Sequence, residues 1–435
     1  MPQLQLAWGA VPRGARASPT ADSSGDGVEH RALPSPLLSI LIPTRNNREY
    51  ALSVVTSILR ISSPDFELIV QDNSDSRRLG ESFGEGTNDP RLRYSYTKTP
   101  LSIVDNFEEA VKLSSGAYIC VIGDDDGINP EIIEAVRWAH VNDIDALSHT
   151  LAASYIWPDL EMLPTRAGKA PESGLLTIRP FSGKITKPDP EAEMRSVVRS
   201  GGWKYQSTKV PRLYHGLVRR DCLTAIRDTT GGYFGGLVPD IYSAMAVANV
   251  AKTVVSVDYP LTIGGVSTTS GSAAAQRKEH VGDLASAPQL RNRGAYQWSD
   301  LVPPFYSVQT VWADSAIAAL KAFGRDDLLR ELNLPLLAAD CLVANPRYGR
   351  LIMRNLRKSV MAANRSRLLG VAKLGRALLT GPGWSLAKRG ANRLRVNLSS
   401  NPIRRFAGAQ NMVEATNLLT RYLEDGEHRF SKYVW

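Results

Sequence analysis

Tyr118-Ile-Cys-Val-Ile-Gly-Asp-Asp-Asp-Gly-Ile-Asn-Pro130 sets the framework for the whole chain. Residues Tyr118 to Ile122 are a short apolar run with β-branched members, which predicts a strand buried on both faces. Gly123 ends the run, and Asp124, Asp125 and Asp126 follow without a break. Pro130 then opens an amphipathic helix carrying Ile132, Ile133, Val136 and Trp138, its fixed φ suiting the first turn. Three adjacent carboxylates repel one another unless a cation sits among them. Mg²⁺ or Mn²⁺ is held by one or two carboxylates plus substrate phosphate oxygens, and open α/β sheets bind ligands at strand ends. A solvated acidic turn is the simpler alternative for Asp-Asp-Asp-Gly.

Upstream, Leu37 to Pro43 reads as a buried first strand, and Asn46 or Asn47 can cap the helix that carries Tyr50, Val54, Ser57, Ile58 and Ile61. Phe66 to Gln71 is a second strand, ending in the polar turn Asp72-Asn-Ser-Asp-Ser76, and Leu92 to Tyr96 a third. Ile103 to Leu113 is an amphipathic helix leading into the Tyr118 strand. This alternation predicts an α/β class, a mostly parallel sheet with helices on both faces.

With these elements in order, the first half resembles a family 2 glycosyltransferase of the GT-A, nucleotide-diphospho-sugar transferase fold. Ile42-Pro-Thr-Arg-Asn46, Leu68-Ile-Val-Gln-Asp-Asn-Ser74, the Asn106 helix with Ser115-Gly116, and Gly123-Asp-Asp-Asp126 carry the resemblance. It covers about residues 37 to 150 well and the next hundred loosely. It implies donor-binding roles for Pro43, Thr44, Arg45, Asp72, Asn106, Asp124 and Asp125. Thr44 and Asp72 would hold the nucleotide base, and Asn106 would lie near the phosphates or sugar. Asp124, Asp125 and Asp126 would hold Mg²⁺ or Mn²⁺ against the donor diphosphate. The alternatives are a turn-capping role for Asp72 and a solvated helix face for Asn106. Gly123 departs from the pattern, standing where many relatives have their first Asp, so which two aspartates touch metal stays open.

Residues 157 to 211 are rich in Pro, Gly and Lys, with little periodicity, and form the expected variable acceptor-facing insertion. Leu213 to Arg219 reads as a strand, making His215 a satisfied, half-buried imidazole. A helix over Asp221 to Arg227 and a glycine-rich loop then lead to Pro239-Asp240 and the helix Ile241 to Val250. Asp240 at a helix start can be an N-terminal cap. The resemblance implies instead the catalytic base of an inverting transferase, which in relatives lies about a hundred residues after the metal motif, usually in a Glu-Asp pair; here Pro239 stands in place of the Glu. The small-residue loop Gly264 to Ser272 could close over a donor or simply link elements. No Gln-x-x-Arg-Trp signature of processive synthases occurs, favouring single-sugar addition.

The chain has 435 residues and a formal charge of +9, unevenly placed. From Cys341 to the end there are 18 Lys/Arg against 4 Asp/Glu, whereas the preceding part carries 34 basic and 39 acidic residues. The helical pattern spans Val308 to Phe323, Leu328 to Ala344 and about Arg347 to Leu379, and resumes over Asn411 to Leu423. In the third helix Arg347, Arg350, Arg354, Lys358 and Arg365 form a basic stripe opposite an apolar one of Ile352, Leu356, Val360 and Val371. The stripes predict a tail that leans on anionic lipid through residues 347–405, its apolar side at the headgroup boundary. Few aromatics and no nucleic-acid motif argue against nucleic acid.

The divisions expected are a disordered segment 1–36, the GT-A domain 37–272, a helical extension 273–345 and a basic helical tail 346–435. Three scattered cysteines, no secretory signal and no apolar run long enough to span a membrane predict a cytoplasmic protein, peripheral on the inner face of the membrane. The implied activity is inverting, metal-dependent transfer of one sugar from a nucleotide-diphosphate donor to a hydroxyl of a glycan or lipid-linked acceptor. A sugar-nucleotide nucleotidyltransferase is the nearest rival, although Pro43-Thr-Arg-Asn is not its glycine-rich phosphate loop. A non-catalytic scaffold built on the same fold is the other.

Overall fold

The computed structural model describes residues 36–84, 88–160, 173–277, 279–362, 375 and 402–434. Among them, eight strands form the main sheet: β1 (Leu38–Thr44), β2 (Phe66–Asp72), β3 (Leu92–Tyr96), β4 (Tyr118–Val121), β6 (Ala146–His149), β9 (Ile185–Thr186), β10 (Leu217–Arg219) and β11 (Val254–Val257). Their order is β3-β2-β1-β4-β10-β6-β11-β9. The first four are parallel, as are β6 and β11, while β10 and β9 run antiparallel to their neighbours. A second sheet joins β5 (Gly127–Ile128), β7 (Ala153–Ile156), β8 (Leu175–Ile178), β12 (Thr262–Val266) and β15 (Arg404–Phe406); β13 (Val281–Asp283) pairs with β14 (Phe305–Ser307). The expected α/β architecture, with a helical C-terminal region, is what the chain adopts.

Every residue of β1, β2 and β4 is buried, because helices cover both faces of the sheet. Alternation divides the apolar residues between two cores. Leu41, Ile69 and Ile119 face the helices Ile103–Leu113, Arg220–Thr230, Pro239–Val250 and Val308–Ala322. Ile40, Leu68 and Cys120 face Arg48–Leu59, Ile132–Val141 and the C-terminal helix Met412–Asp425. Parallel pairing brings the carboxyl ends of β1, β2 and β4 to one edge, with Thr44 opposite Asp72 in register.

Several expectations change. The strand expected over Leu213 to Arg219 forms only at its end, since His215 sits at φ +60, in the left-handed region. The helix expected over Leu328 to Ala344 divides into Asp326–Glu331 and Leu334–Ala344, because Pro335 lies in the first turn of the second and Asn333 caps it. The basic helix spans Gly349–Ala362; Arg365 and Val371 lie outside the described residues. Its Ile352 and Leu356 are buried in the core, so they cannot meet a headgroup boundary.

Nor do residues 402–434 continue a basic tail. β15 pairs with the edge of β8, Tyr155 donates to the Ala409 carbonyl at 2.8 Å, and Ser57 Oγ donates to Thr416 Oγ1 at 2.9 Å. Met412, Ala415, Leu419 and Leu423 join the core beside the first helix. The helix Val308–Ala322 likewise shares the core of Pro239–Val250, so neither region is a separate appendage.

Candidate active site

The aspartate turn hangs from the end of β4, and its three carboxylates diverge. Asp124 turns towards β1: Thr44 Oγ1 donates to its Oδ2 at 2.6 Å, and Asn47 Nδ2 donates to both oxygens at 3.0–3.1 Å. Asn47 is the N-cap residue of the first helix, yet makes no side-chain cap bond; it holds the aspartate instead. Asp125 turns towards the end of β12, where Ser267 donates to Oδ2 from its hydroxyl at 2.6 Å and its amide at 3.2 Å. Trp157 Nε1 donates to the Asp125 carbonyl at 2.9 Å.

Asp126 is saturated from within. Gly265 N donates to Oδ1 at 2.7 Å, while Gly123 N and the Tyr214 hydroxyl donate to Oδ2 at 2.8 and 2.7 Å. His215 Nε2 lies 3.2 Å from the same Oδ2. A chain of hydrogen bonds runs from that ring to His149. His149 Nδ1 is 3.0 Å from the Thr150 carbonyl, which can only accept, so the proton sits there. Burial keeps His149 neutral, its pKa pushed down to about 3. Its Nε2 therefore accepts from Thr262, whose oxygen in turn accepts from His215 Nδ1 at 2.8 Å. His215 is thus held between Thr262 at Nδ1 and Asp126 at Nε2.

The electrostatics follow. Burial drives Asp124 up to about 6 against its bonds from Thr44 and Asn47, with the Asp126 charge adding to the rise. Burial and the charges of Asp126 and Asp124 carry Asp125 to about 7. Asp126 is buried too, but the charge and hydrogen bond of His215 hold it below the ordinary carboxylate range. One carboxylate is thus neutralised internally and two are left straining against each other. Among the described residues no three His, Cys, Asp or Glu side chains converge into a ready cation cage. Asp124 and Asp125 nonetheless fit a hard divalent ion that takes one or two carboxylates and completes its shell with phosphate and water oxygens.

Asp240 stands in the first turn of the helix Pro239–Val250, whose N-cap Val238 has no side-chain bond to give. It is partly exposed, and its carboxylate makes no hydrogen bond with another residue among those described. Burial lifts its pKa to about 6, with the His215 charge lowering it and the Asp126 charge raising it. It therefore faces the same charges as the aspartate turn.

Residues 39–155 match the model of the family described as glycosyl transferase family 2. Over this segment the chain is similar to family 2 glycosyltransferases. The chain is 29% identical over 123 residues to the Escherichia coli (strain K12) protein WcaA, whose name describes a glycosyl transferase of colanic acid biosynthesis. That match takes in 28% of this chain and 44% of the relative, so the chain spans less than half the relative's length. Among solved structures, S. aureus TarS 1–349 in complex with UDP-GlcNAc is similar at 14% identity and a TM-score of 0.43, over 76% of this chain and 93% of that one. The mannosyltransferase PcManGT from Pyrobaculum calidifontis, in complex with GDP-Man and Mn²⁺, is similar at 15% identity and a TM-score of 0.39, over 89% and 88%.

The residues singled out from sequence fall into two groups. Pro43, Thr44, Asn106 and the three aspartates gather at the ends of β1 and β4. Asn106 is buried rather than solvated: Nδ2 donates to the Thr44 carbonyl at 3.2 Å, and Oδ1 is left buried without a partner among the described residues. Asp72 is fully buried, accepting from Ser74 N and the Tyr94 hydroxyl at 2.8 Å each, so the turn-capping role is present whatever else it does. Arg45 pairs instead with Asp75 at 3.1 Å. Sequence reasoning missed Asn47, Tyr214, Ser267, Thr262 and His149, and set His215 aside. Their roles depend on long-range contact and, for His215, on a backbone angle with no signature in residue type.

Gly123 has a steric explanation. A Cβ there would lie 2.8 Å from the Tyr214 hydroxyl and 2.9 Å from Asp126 Oδ2, so the relatives' Asp does not fit beside this tyrosine. Gly123→Ala is expected to cost about 1–3 kcal/mol of stability. Removing the hydroxyl with Tyr214→Phe should recover ~0.5 kcal/mol or more of that cost in the double variant. Urea unfolding of both single variants and the double measures the coupling; strictly additive effects would refute the steric account.

Proposed function

We propose that the protein is an inverting, metal-dependent glycosyltransferase that moves one sugar from a nucleotide-diphosphate sugar to a hydroxyl of a glycan or lipid-linked acceptor. The observation that carries this reading is Asp240 in the first turn of a helix without a side-chain cap, partly exposed and with a carboxylate free of hydrogen bonds to other residues among those described; burial, with the Asp126 charge, raises its pKa to about 6. A general base works best when its pKa lies near the operating pH. Asp240 takes the proton of the acceptor hydroxyl as that oxygen attacks the anomeric carbon. The bond from that carbon to the diphosphate oxygen breaks, its electron pair leaves with the nucleotide diphosphate, and a single displacement inverts the centre.

In this reading Pro43, Thr44, Arg45 and Asp72 would hold the nucleotide end of the donor, Asp72 after giving up a present partner, and Asn106 Oδ1, buried without a partner among the described residues, would accept from a donor hydroxyl. Asp124 and Asp125 hold the metal, since Asp126 is already occupied by His215, Tyr214 and two amides. Mg²⁺ or Mn²⁺ bound there supplies positive charge to the leaving diphosphate. The WcaA likeness favours a polysaccharide acceptor. Asp240→Asn should lower turnover roughly 10²-fold or more while leaving nucleotide affinity unchanged. The wild-type rate should fall as pH drops through about 6, where Asp240 takes up its proton in the same range as Asp124 and Asp125. Near-normal turnover of Asp240→Asn would defeat the assignment.

We further infer that the exposed cations Arg347, Arg350, Arg354, Arg357 and Lys358 rest on an anionic membrane surface by charge alone, their helix's apolar face being buried. Among the described residues no helix is long and apolar enough to cross a membrane. Each surface cation contributes about 1 kcal/mol near acidic lipid. Truncation would remove the core helix Met412–Asp425, so the test is the full chain carrying Arg350→Ser, Arg354→Ser and Arg357→Ser. Co-sedimentation with acidic vesicles should be salt-sensitive and reduced in this variant; equal pelleting with neutral vesicles would rule the surface out.

A further inference from the structure

The loop of residues 231–238 joins the helix Arg220–Thr230 to the helix that begins Pro239-Asp240. Three side chains from elsewhere hold its backbone. Glu108, on the helix Ile103–Leu113, accepts from Tyr233 N at 2.9 Å and Phe234 N at 3.1 Å. Arg293 Nε donates to the Gly236 carbonyl at 3.2 Å, while its Nη1 lies 3.4 Å from Asp105 Oδ1. Ser315 Oγ, fully buried on the helix Val308–Ala322, accepts from Leu237 N and Val238 N at 3.0 Å each and donates to the Val311 carbonyl at 2.8 Å.

The Ser315 contact falls where the helix has no cap of its own. Val238 has no side-chain acceptor and Pro239 has no N–H, so the chain entering the helix is fixed from the neighbouring helix instead. The fit is close: Gly236 has φ +63, and a Cβ there would lie 2.9 Å from Ser315 Cα. Asp240 follows two residues after Val238.

We propose that Ser315, Arg293 and Glu108 are positioning residues that set the carboxylate of Asp240, and that the region after residue 273 is therefore part of the catalytic apparatus. Ser315 and Arg293 lie outside the segment matched by the family model. The inference rests on the reading of Asp240 as the base. Displacing a base by an ångström costs up to roughly 10²-fold in rate, and the loss belongs to kcat rather than to donor binding.

The test is a double-mutant cycle on the full chain, reading kcat, donor KM and nucleotide-diphosphate affinity. Ser315→Ala should lower kcat on the order of tenfold with KM and nucleotide affinity nearly unchanged. In an Asp240→Asn background the same change should have no further effect, because the group it positions is gone. An equal loss in both backgrounds, or no loss in the wild type, overturns the clamp. If Asp240→Asn alone keeps normal turnover, the base reading falls first. Should Ser315→Ala not fold, Glu108→Ala should lower kcat in the same way, and Glu108→Gln, which retains an acceptor oxygen for both amides, should restore it. Failure of the glutamine to rescue also overturns the clamp.

Discussion

Three carboxylates buried within one turn are the constraint to which the rest of the site answers. Burying an unpaired charge is costly, and adjacent like charges add to the cost. The fold relieves Asp126 with the His215 ring, a tyrosine hydroxyl and two amides, and gives Asp124 and Asp125 hydroxyl and amide donors only. The raised pKa values of these two record what remains unrelieved. A site left in this state favours a cation, which is the property that a diphosphate-binding site requires.

Much of the chain beyond the matched domain serves that turn. β12 supplies the Gly265 amide and leads to Ser267, and the segment before β10 brings Tyr214 and His215 against Asp126. Met412, from the C-terminal return, packs in the same core as Ile128 and Ile263 of the small sheet behind the turn. The basic charge and the catalytic region are therefore less separable than composition suggests. The arginines of 349–362 project from a helix whose other face is core, and the chain returns to the first helix afterwards.

The parallel strands were legible because a sheet covered on both faces favours apolar runs over strict alternation, and Ile40–Ile42, Leu68–Val70 and Tyr118–Val121 are such runs. The helix Ile103–Leu113 was legible in both bounds from its apolar period, and the structure adds a Ser102 side chain accepting from Asp105 N at its start. The aspartates and Asp240 were visible as residues, but their division of labour was not. Nothing local shows that Asp126 is saturated while Asp125 is not, since its partners lie at 214, 215 and 265. His215 was hidden because an apolar stretch around it imitates a strand, and only its positive φ turns the ring towards Asp126. The face of the basic helix was misjudged for a related reason: an amphipathic pattern shows that one side is buried, not whether protein or lipid buries it.

The central claim is that the turn binds a nucleotide diphosphate through a metal held by Asp124 and Asp125. Thermal unfolding with UDP or GDP, with and without Mn²⁺, on the wild type and on Asp125→Ala, addresses it without an acceptor or a known sugar. A ligand at a hundred times its Kd stabilises the folded state by about 2.7 kcal/mol. One of the two nucleotides should raise the melting temperature of the wild type in the presence of Mn²⁺, with the shift largely lost in EDTA and in Asp125→Ala. A shift of the same size in EDTA, or one retained in full by Asp125→Ala, would contradict the account.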